Sequence, residues 1–144
     1  MYLEKQIIEK SSLRGLCILV IESNRDERDL FVFILESHGA SVISEASVSD
    51  ALGRLRYQLP DVVFASIKAI CDYKLAEQIN IYASKVGKEV LIIAVSETNR
   101  TVYPAMAEDL NCHACISKPL DINQVVSLVT TLAGRHVQHN SFVI

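Results

Sequence analysis

The sequence predicts an α/β protein with a doubly wound, five-stranded parallel sheet and helices on both faces. Short apolar runs alternate five times with longer amphipathic segments, which is typical of strands joined by crossover helices. The runs are apolar on consecutive residues, as expected for strands that are buried on both faces. The chain has 144 residues, enough for one ordinary domain, and half of them are hydrophobic, so a sizeable core can form.

The first strand and the first helix have clear signals. Leu16–Ile21 is a continuous apolar run. Asn24 is predicted to cap the next helix, and Glu27 stands at the third helical position, where it can complete a capping box. Gly39 is predicted to end this helix, because glycine readily adopts the left-handed conformation that follows many helices.

The second and third strands follow the same alternation. Ala40–Ile43 is the second predicted strand, and Ser47 is predicted to cap the helix after it. Val62–Ala65 is the third strand. A third helix is predicted over Asp72–Val86, where apolar residues recur at helical spacing, and Gly87 ends it.

The last elements are two strands and two helices. Val90–Val95 is the fourth predicted strand, and Thr98–Leu110 is the fourth helix, which Pro104 interrupts. Ala114–Ile116 is the fifth strand. Asp121 is predicted to cap the final helix.

These elements place one domain at residues 15–133, between an N-terminal extension at 1–14 and a C-terminal tail at 134–144. The formal net charge is −3, which gives no electrostatic reason to expect nucleic acid or an anionic membrane as a partner. No apolar run approaches the roughly 20 residues that a membrane helix needs. The charged first residues lack the apolar core of a signal peptide, so we expect a cytoplasmic protein.

Polar residues follow four of the predicted strands. In an open parallel sheet, ligands bind at the carboxyl ends of the strands, so these positions form the candidate pocket. They are Glu22 and Ser23 after the first strand, Ser66 after the third, Ser96 after the fourth and Lys118 after the fifth.

The same positions carry a resemblance to the receiver domains of response regulators. Residues 13–24, LRGLCILVIESN, resemble the opening L-x-G-x-x-I-L-V-V-D-D-N of that family, and residues 60–66, PDVVFAS, resemble its P-D-V-x-x-x-D strand. Ser96 matches the family's Ser/Thr position, and Lys118-Pro119 matches its K-P motif. The resemblance implies the flavodoxin-like receiver topology with strand order 2-1-3-4-5, an order that right-handed crossovers also favour.

The departures from the family pattern concern its chemistry. The family's two acids after the first strand bind Mg²⁺ together with the aspartate that ends the third strand, which is also the phosphoacceptor. Here Glu22 keeps the first acid, but Ser23 replaces the second and Ser66 replaces the phosphoacceptor. The family's switch aromatic corresponds to Cys115. Mg²⁺ prefers carboxylate oxygens, and a serine nucleophile needs an adjacent base, so we expect no metal site and no phosphorylation at Ser66.

The resemblance and its departures together predict a phosphorylation-independent signalling module, a pseudo-receiver, with no enzymatic activity and no cofactor. Lys118 is expected to pair with Glu22. One alternative is a residually active receiver with an unusual acceptor, for which Asp61 and Asp72 are the candidates, although Asp61 is expected at the far end of its strand. The other alternative is a small-ligand or redox sensor that uses the pocket or the cysteines.

The expected partners are proteins: a histidine kinase, another receiver, an output domain or a second copy of the chain. The sequence does not name the pathway, and it leaves open whether the domain stands alone or belongs to a larger regulator. The family's output surface corresponds to residues 98–133. Its predicted contact residues are Arg100, Tyr103, Glu108, Asn123, Gln124, Ser127 and Thr131.

The four cysteines do not form a recognisable metal motif. Cys112 and Cys115 make a single C-x-x-C, which lacks the second pair of ligands that structural zinc requires. Cys17 and Cys115 lie in apolar strands, where cysteine packs as a small hydrophobic residue. We expect free thiols, and a redox role that includes Cys71 stays an alternative.

Overall fold

Five parallel strands form one sheet in the order β2-β1-β3-β4-β5, as predicted. The computed structural model describes residues 12–97, 102–103 and 105–134. The strand bounds differ from the predicted ones by at most two residues. The strands are β1 at Cys17–Ile21, β2 at Ser41–Glu45, β3 at Val62–Ser66, β4 at Leu91–Ser96 and β5 at Ala114–Ser117.

Six helices lie among these residues, and none of them is long and apolar enough to cross a membrane. The predicted caps are confirmed: the side chains of Asn24, Ser47 and Asp121 each accept a hydrogen bond from the backbone N–H three residues later. The helices are α1 at Arg25–Ser37, α2 at Val48–Leu55, α3 at Ile67–Tyr73, α4 at Leu75–Val86, α5 at Met106–Asp109 and α6 at Ile122–Leu132.

The predicted helix over Asp72–Val86 is wrong at its start, because two helices occupy this region. The first, α3, begins directly after β3, and α4 begins after Lys74, whose φ of 47° is left-handed. A residue in that conformation interrupts a right-handed helix. Ile70 and Ile79 pack into the same core, so one apolar pattern runs through both helices and conceals the break.

The predicted helix over Thr98–Leu110 is correct only for its last turn. The described helix, α5, is four residues long, and Val102 and Tyr103 before it are not helical. Proline lacks a backbone N–H and disfavours the helical conformation of the residue before it, which accounts for Tyr103. Residues 98–101 and Pro104 lie outside the described residues.

Two apolar cores cover the two faces of the sheet. Leu19 in β1 faces the core formed with α2, α3 and α4, whereas Ile18 and Val20 face the core formed with α1 and α6. This alternation explains why the strand sequences are apolar at every position. The second core also contains Leu13, which is fully buried although the sequence places it in the extension.

Candidate functional site

The carboxyl ends of β1, β3 and β4 border a cleft of about 420 Å³. The strand register aligns these ends: Ile21 pairs with Ala65, and Ser66 pairs with Val95. Three of the predicted pocket residues line the cleft, whereas Ser96 and Lys118 are buried outside its lining. The polar lining residues are Glu22, Ser23, Ser47, Ser66, Lys68, Asp72 and Glu97.

The ammonium group of Lys118 is surrounded by three carboxylates. Its Nζ lies 2.8 Å from Glu27 Oε2, 2.9 Å from Glu22 Oε1 and 3.4 Å from Glu97 Oε1. Lys118 is only 6% exposed, so the contacts are made in a largely desolvated environment. The predicted pair with Glu22 is confirmed. The sequence does not predict the contacts with Glu27 and Glu97, because Glu27 also fits a capping box and Glu97 belongs to none of the matched motifs.

The pKa of Lys118 reflects two opposing effects. Burial lowers the pKa, because it disfavours the charged form, but the hydrogen bonds to Glu27 and Glu22 outweigh burial. The pKa is therefore raised above its ordinary value, and the side chain stays charged at physiological pH. Lys118 must break at least one of these contacts before it can bind a phosphoryl group.

The capping box predicted at the start of α1 is only half formed. Asn24 Oδ1 accepts the Glu27 N–H at 3.0 Å, as predicted. The Glu27 carboxylate binds the Lys118 ammonium group instead of the Asn24 N–H, and in this contact both partners are charged. The Asn24 N–H donates instead to Glu22 Oε2 at 3.0 Å, so both oxygens of Glu22 are engaged.

Ser66 is the N-cap of α3. Its Oγ accepts a hydrogen bond from the Ala69 N–H at 3.1 Å, and the helix begins at the next residue. A serine nucleophile requires a base that removes its proton. Glu22 is the conspicuous carboxylate at this edge, but its two oxygens already accept hydrogen bonds from Lys118 and Asn24. The hydroxyl at the acceptor position therefore has a structural role in the fold.

The other two candidate acceptors occupy very different places. Asp61 lies at the amino ends of the strands, where its carboxylate accepts the Cys17 N–H at 2.7 Å and pairs with Lys88 Nζ at 3.1 Å. Asp61 thus lies at the opposite end of β3 from Ser66, as the strand length predicts, and it stabilises the amino ends of the strands. Asp72 lies on α3 and is exposed at the cleft, so it is the only one of the two that borders the candidate site.

The residues do not fit the Mg²⁺ site that the receiver resemblance implies. Ser23 and Ser66 contribute neutral hydroxyls, and Glu22 is already bound to an ammonium group. Octahedral Mg²⁺ is held in proteins by carboxylates that are available to it. Within the described ranges, no group of three His, Cys, Asp or Glu side chains is placed to hold a metal ion.

The cysteines at positions 112 and 115 make separate contacts. Cys115, at the switch position, lies in β5 with its Sγ 3.5 Å from Met106 Sδ. The Cys112 thiol donates to the Leu110 carbonyl at 3.4 Å, and burial raises its pKa to about 12. A thiol with such a pKa is protonated at neutral pH and is a weak nucleophile. Cys71 is exposed on α3.

The predicted output surface can be compared with the structure at six of its seven residues, because Arg100 lies outside the described residues. The Tyr103 hydroxyl donates to Asp109 Oδ2 at 2.6 Å, and its ring is 45% exposed. Ile122, which was not predicted, adds an apolar side chain that is 45% exposed. The remaining predicted residues are all exposed: Glu108, Asn123, Gln124, Ser127 and Thr131.

No protein-family model and no curated protein matches the sequence. The fold is nevertheless close to solved structures. A putative response regulator from Chloroflexus aurantiacus matches with a TM-score of 0.71 and 15% identity, over 85% of this chain and 100% of that one. A CheY-like response regulator receiver domain from Methylobacillus flagellatus matches with a TM-score of 0.66 and 22% identity, over 83% and 98%.

A third similar structure is a complex from Saccharomyces cerevisiae, in which the receiver domain of a response regulator is bound to a histidine phosphotransfer signalling protein. The match has a TM-score of 0.68 and 16% identity, over 82% of this chain and 88% of that one. At these identities the likeness concerns the fold. With its strand order and its Lys118 in place at the carboxyl edge, the protein has the fold of a CheY-like response regulator receiver domain.

Proposed function

We propose that this protein is a signalling module of a two-component or related pathway that works by binding other proteins and without phosphorylation. The observation that carries the proposal is the arrangement around Lys118, whose ammonium group is held by Glu22, Glu27 and Glu97. The Lys118 ammonium group neutralises the Glu22 carboxylate, which a metal ion would need as a ligand. The same contacts occupy the lysine that would meet a phosphoryl group.

The state of Ser66 supports this proposal independently. Its hydroxyl caps a helix that begins at the end of β3, and a carboxylate acceptor is missing at this position. Phosphorylation there would add negative charge beside Glu22, without a bound metal ion to neutralise it. At the position of the family's acceptor, the site therefore has a capping hydroxyl in place of a carboxylate, and Glu22 is not free to act as its base.

Acetyl phosphate with Mg²⁺ tests the absence of phosphorylation. We expect intact mass spectrometry at neutral pH to show no added phosphoryl group on the wild-type chain, while an active receiver treated in parallel gains one. The matched variants are Ser66→Ala and Asp72→Asn. A gain of mass that disappears in Ser66→Ala contradicts the proposal, and a gain that disappears in Asp72→Asn establishes the residually active alternative.

Protein binding is proposed to use the surface around α5, β5 and α6. The yeast structure places a receiver domain against a histidine phosphotransfer protein, which supports a protein as the class of partner. Tyr103 and Ile122 offer exposed aromatic and aliphatic side chains, and tyrosine is enriched among residues that dominate binding energy. The polar residues of α6 would form the rim.

A pull-down from the native host tests this surface. We expect a partner that the wild-type chain retains and that a Tyr103→Ala, Ile122→Ser variant loses. The control is Tyr57→Ser, which removes an exposed aromatic side chain just after α2, a helix that packs against β2 at the opposite edge of the sheet from β5. Retention by the double variant and loss in the control would place the interface elsewhere.

A small-ligand sensor is the second candidate, and the cleft favours it. Its volume of about 420 Å³ lies within the range of ligand pockets, and Ile21, Val48 and Val95 give it an apolar wall. The test is thermal unfolding in the presence of a small-molecule panel. A ligand whose stabilising effect is lost in Lys68→Glu, at an exposed residue of the cleft lining, would support this candidate.

A further inference from the structure

Two exposed surfaces on opposite sides of the sheet are not used by the proposed function. The first, called the helix surface, comprises Asp26, Asp29, Leu30, Phe33 and Glu36 of α1. The second, called the basic cleft, lies between residues 55–59 and the end of α4. It is lined by Arg56, Tyr57, Lys85, Val86 and Lys88 among others.

The helix surface combines exposed apolar side chains with acids. Phe33 is 66% exposed and Leu30 is 44% exposed, although α1 buries other side chains in the core. The five residues recur at intervals of three or four, so they lie along one stripe. Glu36 stands in the last turn, where the helix dipole disfavours an acid, and that turn has no basic residue. The stability of α1 itself therefore does not account for Glu36, Phe33 and Leu30.

The basic cleft has the complementary character. It has a volume of about 420 Å³, and its rim carries Tyr57, which is 90% exposed, and Val86, which is 68% exposed. Lys88 is paired with Asp61, but Arg56 and Lys85 form no ion pair with any described residue. Lys85 suits the carboxyl end of α4 through the helix dipole, but the dipole does not account for the exposed Tyr57 and Val86.

We propose that the helix surface of one molecule binds in the basic cleft of a second copy of this chain. Phe33 and Leu30 would contact Tyr57 and Val86, and the three acids of the helix surface would face Arg56 and Lys85. The chain as a whole is acidic, with a net charge of −3, whereas the lining of this cleft contains Arg56 and Lys85, which form no ion pair with any described residue. Charge complementarity selects a second copy as the occupant.

The two surfaces belong to different faces of the sheet. Phe31 of α1 packs in the core with β1 residues Ile18 and Val20, whereas Leu55 at the basic cleft packs in the opposite core. One molecule cannot bring its own two surfaces together, so the contact is between molecules. It joins unlike surfaces and leaves one of each free at the ends, and a head-to-tail contact of this kind extends into open chains or closes into a ring.

Sedimentation velocity of the full chain tests the proposal. We expect the weight-average sedimentation coefficient to rise between about 10 μM and about 1 mM without a plateau at the dimer, since small interfaces bind weakly. Raising NaCl from about 0.05 M to about 0.5 M should reduce the rise, because salt screens the charges. A chain that stays monomeric throughout overturns the proposal and leaves both surfaces to other proteins.

Two variants with neutral substitutions identify the surfaces. The helix variant carries Asp29→Asn and Phe33→Ser, and the cleft variant carries Tyr57→Ser and Lys85→Gln. The sedimentation coefficient of each variant alone should no longer rise with concentration. An equimolar mixture of the two variants should form a one-to-one dimer and nothing larger. In the mixture, the intact cleft of the first variant meets the intact helix of the second.

The control is Tyr73→Ser, which removes a side chain that is 52% exposed and lies outside both surfaces, and this variant should associate as the wild type does. All the substituted side chains are exposed, and circular dichroism verifies that the folds are unchanged. Self-association of either variant alone, or a mixture that stays monomeric, overturns the pairing of these two surfaces.

Discussion

Lys118 illustrates how far the chemistry of one residue can be predicted from the sequence. The K-P motif and Glu22 at the end of β1 were sufficient to predict their ion pair, which the structure confirms at 2.9 Å. The sequence did not predict Glu27 or Glu97. Their contacts with Lys118 depend on where α1 and the segment after β4 place the two side chains. For Glu27, the capping-box pattern predicts a hydrogen bond with the Asn24 N–H instead.

Replacing Lys118 with methionine should destabilise the protein by about 3 kcal/mol, near the lower end of the range for breaking a buried ion pair. Glu22, whose side chain is 11% exposed, would lose its cation, while the side chains of Glu27 and Glu97 are 40% and 60% exposed and can turn towards water. The measurement is urea unfolding. The control is Arg54→Met, which breaks the exposed pair with Glu45 and should cost less than about 1 kcal/mol.

The same comparison has an expected pH dependence. Because the pKa of Lys118 is raised on folding, its charge contributes stability fully below the ordinary pKa of 10.5, and this contribution is lost as the pH rises through the folded value. The difference between wild type and Lys118→Met should thus shrink only above pH 10.5. A difference that already disappears in mildly alkaline buffer would contradict the assignment.

Thiol labelling tests the redox alternative at the residue scale. Cys71 is exposed, whereas burial raises the pKa of Cys17 and brings that of Cys112 to about 12. We expect iodoacetamide at mildly alkaline pH to label one thiol rapidly, and this fast phase to be absent from Cys71→Ser. Rapid labelling of Cys112 in the folded protein would show that its thiol is reactive and would support the redox alternative.

Among the elements, α3 is the one that the sequence did not reveal. Ser66 occupies the position of the family's phosphoacceptor, and its residue type also marks a helix cap, but the apolar pattern through Ile70 and Ile79 predicts one later helix. The break depends on the left-handed Lys74, a conformation that lysine rarely adopts and that no local signal indicates. By contrast, α1, α2 and α6 have side-chain caps and apolar stripes, and they were predicted closely.

The cap of α3 can be tested through Ser66. Ser66→Ala should cost about 1 kcal/mol of unfolding free energy, because the Ala69 N–H loses its acceptor. Ser66→Asn should stay within about 0.5 kcal/mol of the wild type, because asparagine caps as well as serine does. Equal stability of the alanine variant and the wild type would show that the cap contributes nothing. The measurement is chemical denaturation.

At the scale of the whole molecule, the predicted strand order is confirmed, and the domain start at residue 15 stays a prediction. Consecutive apolar residues required burial on both faces, and right-handed crossovers left the observed order as the natural arrangement. The candidate pocket followed from that order, although only three of its five predicted residues line the cleft. The predicted boundary at residue 15 rests on the receiver-like motif at residues 13–24. That motif locates β1, but it does not indicate which residues before β1 cover the core.

Leu13 tests where the folded unit begins. It is fully buried in the core beneath α1, and its backbone N–H donates to the His38 carbonyl at 2.9 Å, beside the end of that helix. Leu13→Ala should therefore lower the free energy of unfolding by about 3 kcal/mol, through lost burial and the cavity left behind. Ile81→Ala, at a side chain that is 57% exposed, should change it by less than about 0.5 kcal/mol. Urea unfolding measures both variants. Similar small losses of unfolding free energy in the two would support a domain start at residue 15. A large loss only at Leu13 would make this residue part of the hydrophobic core that holds α1 against the sheet.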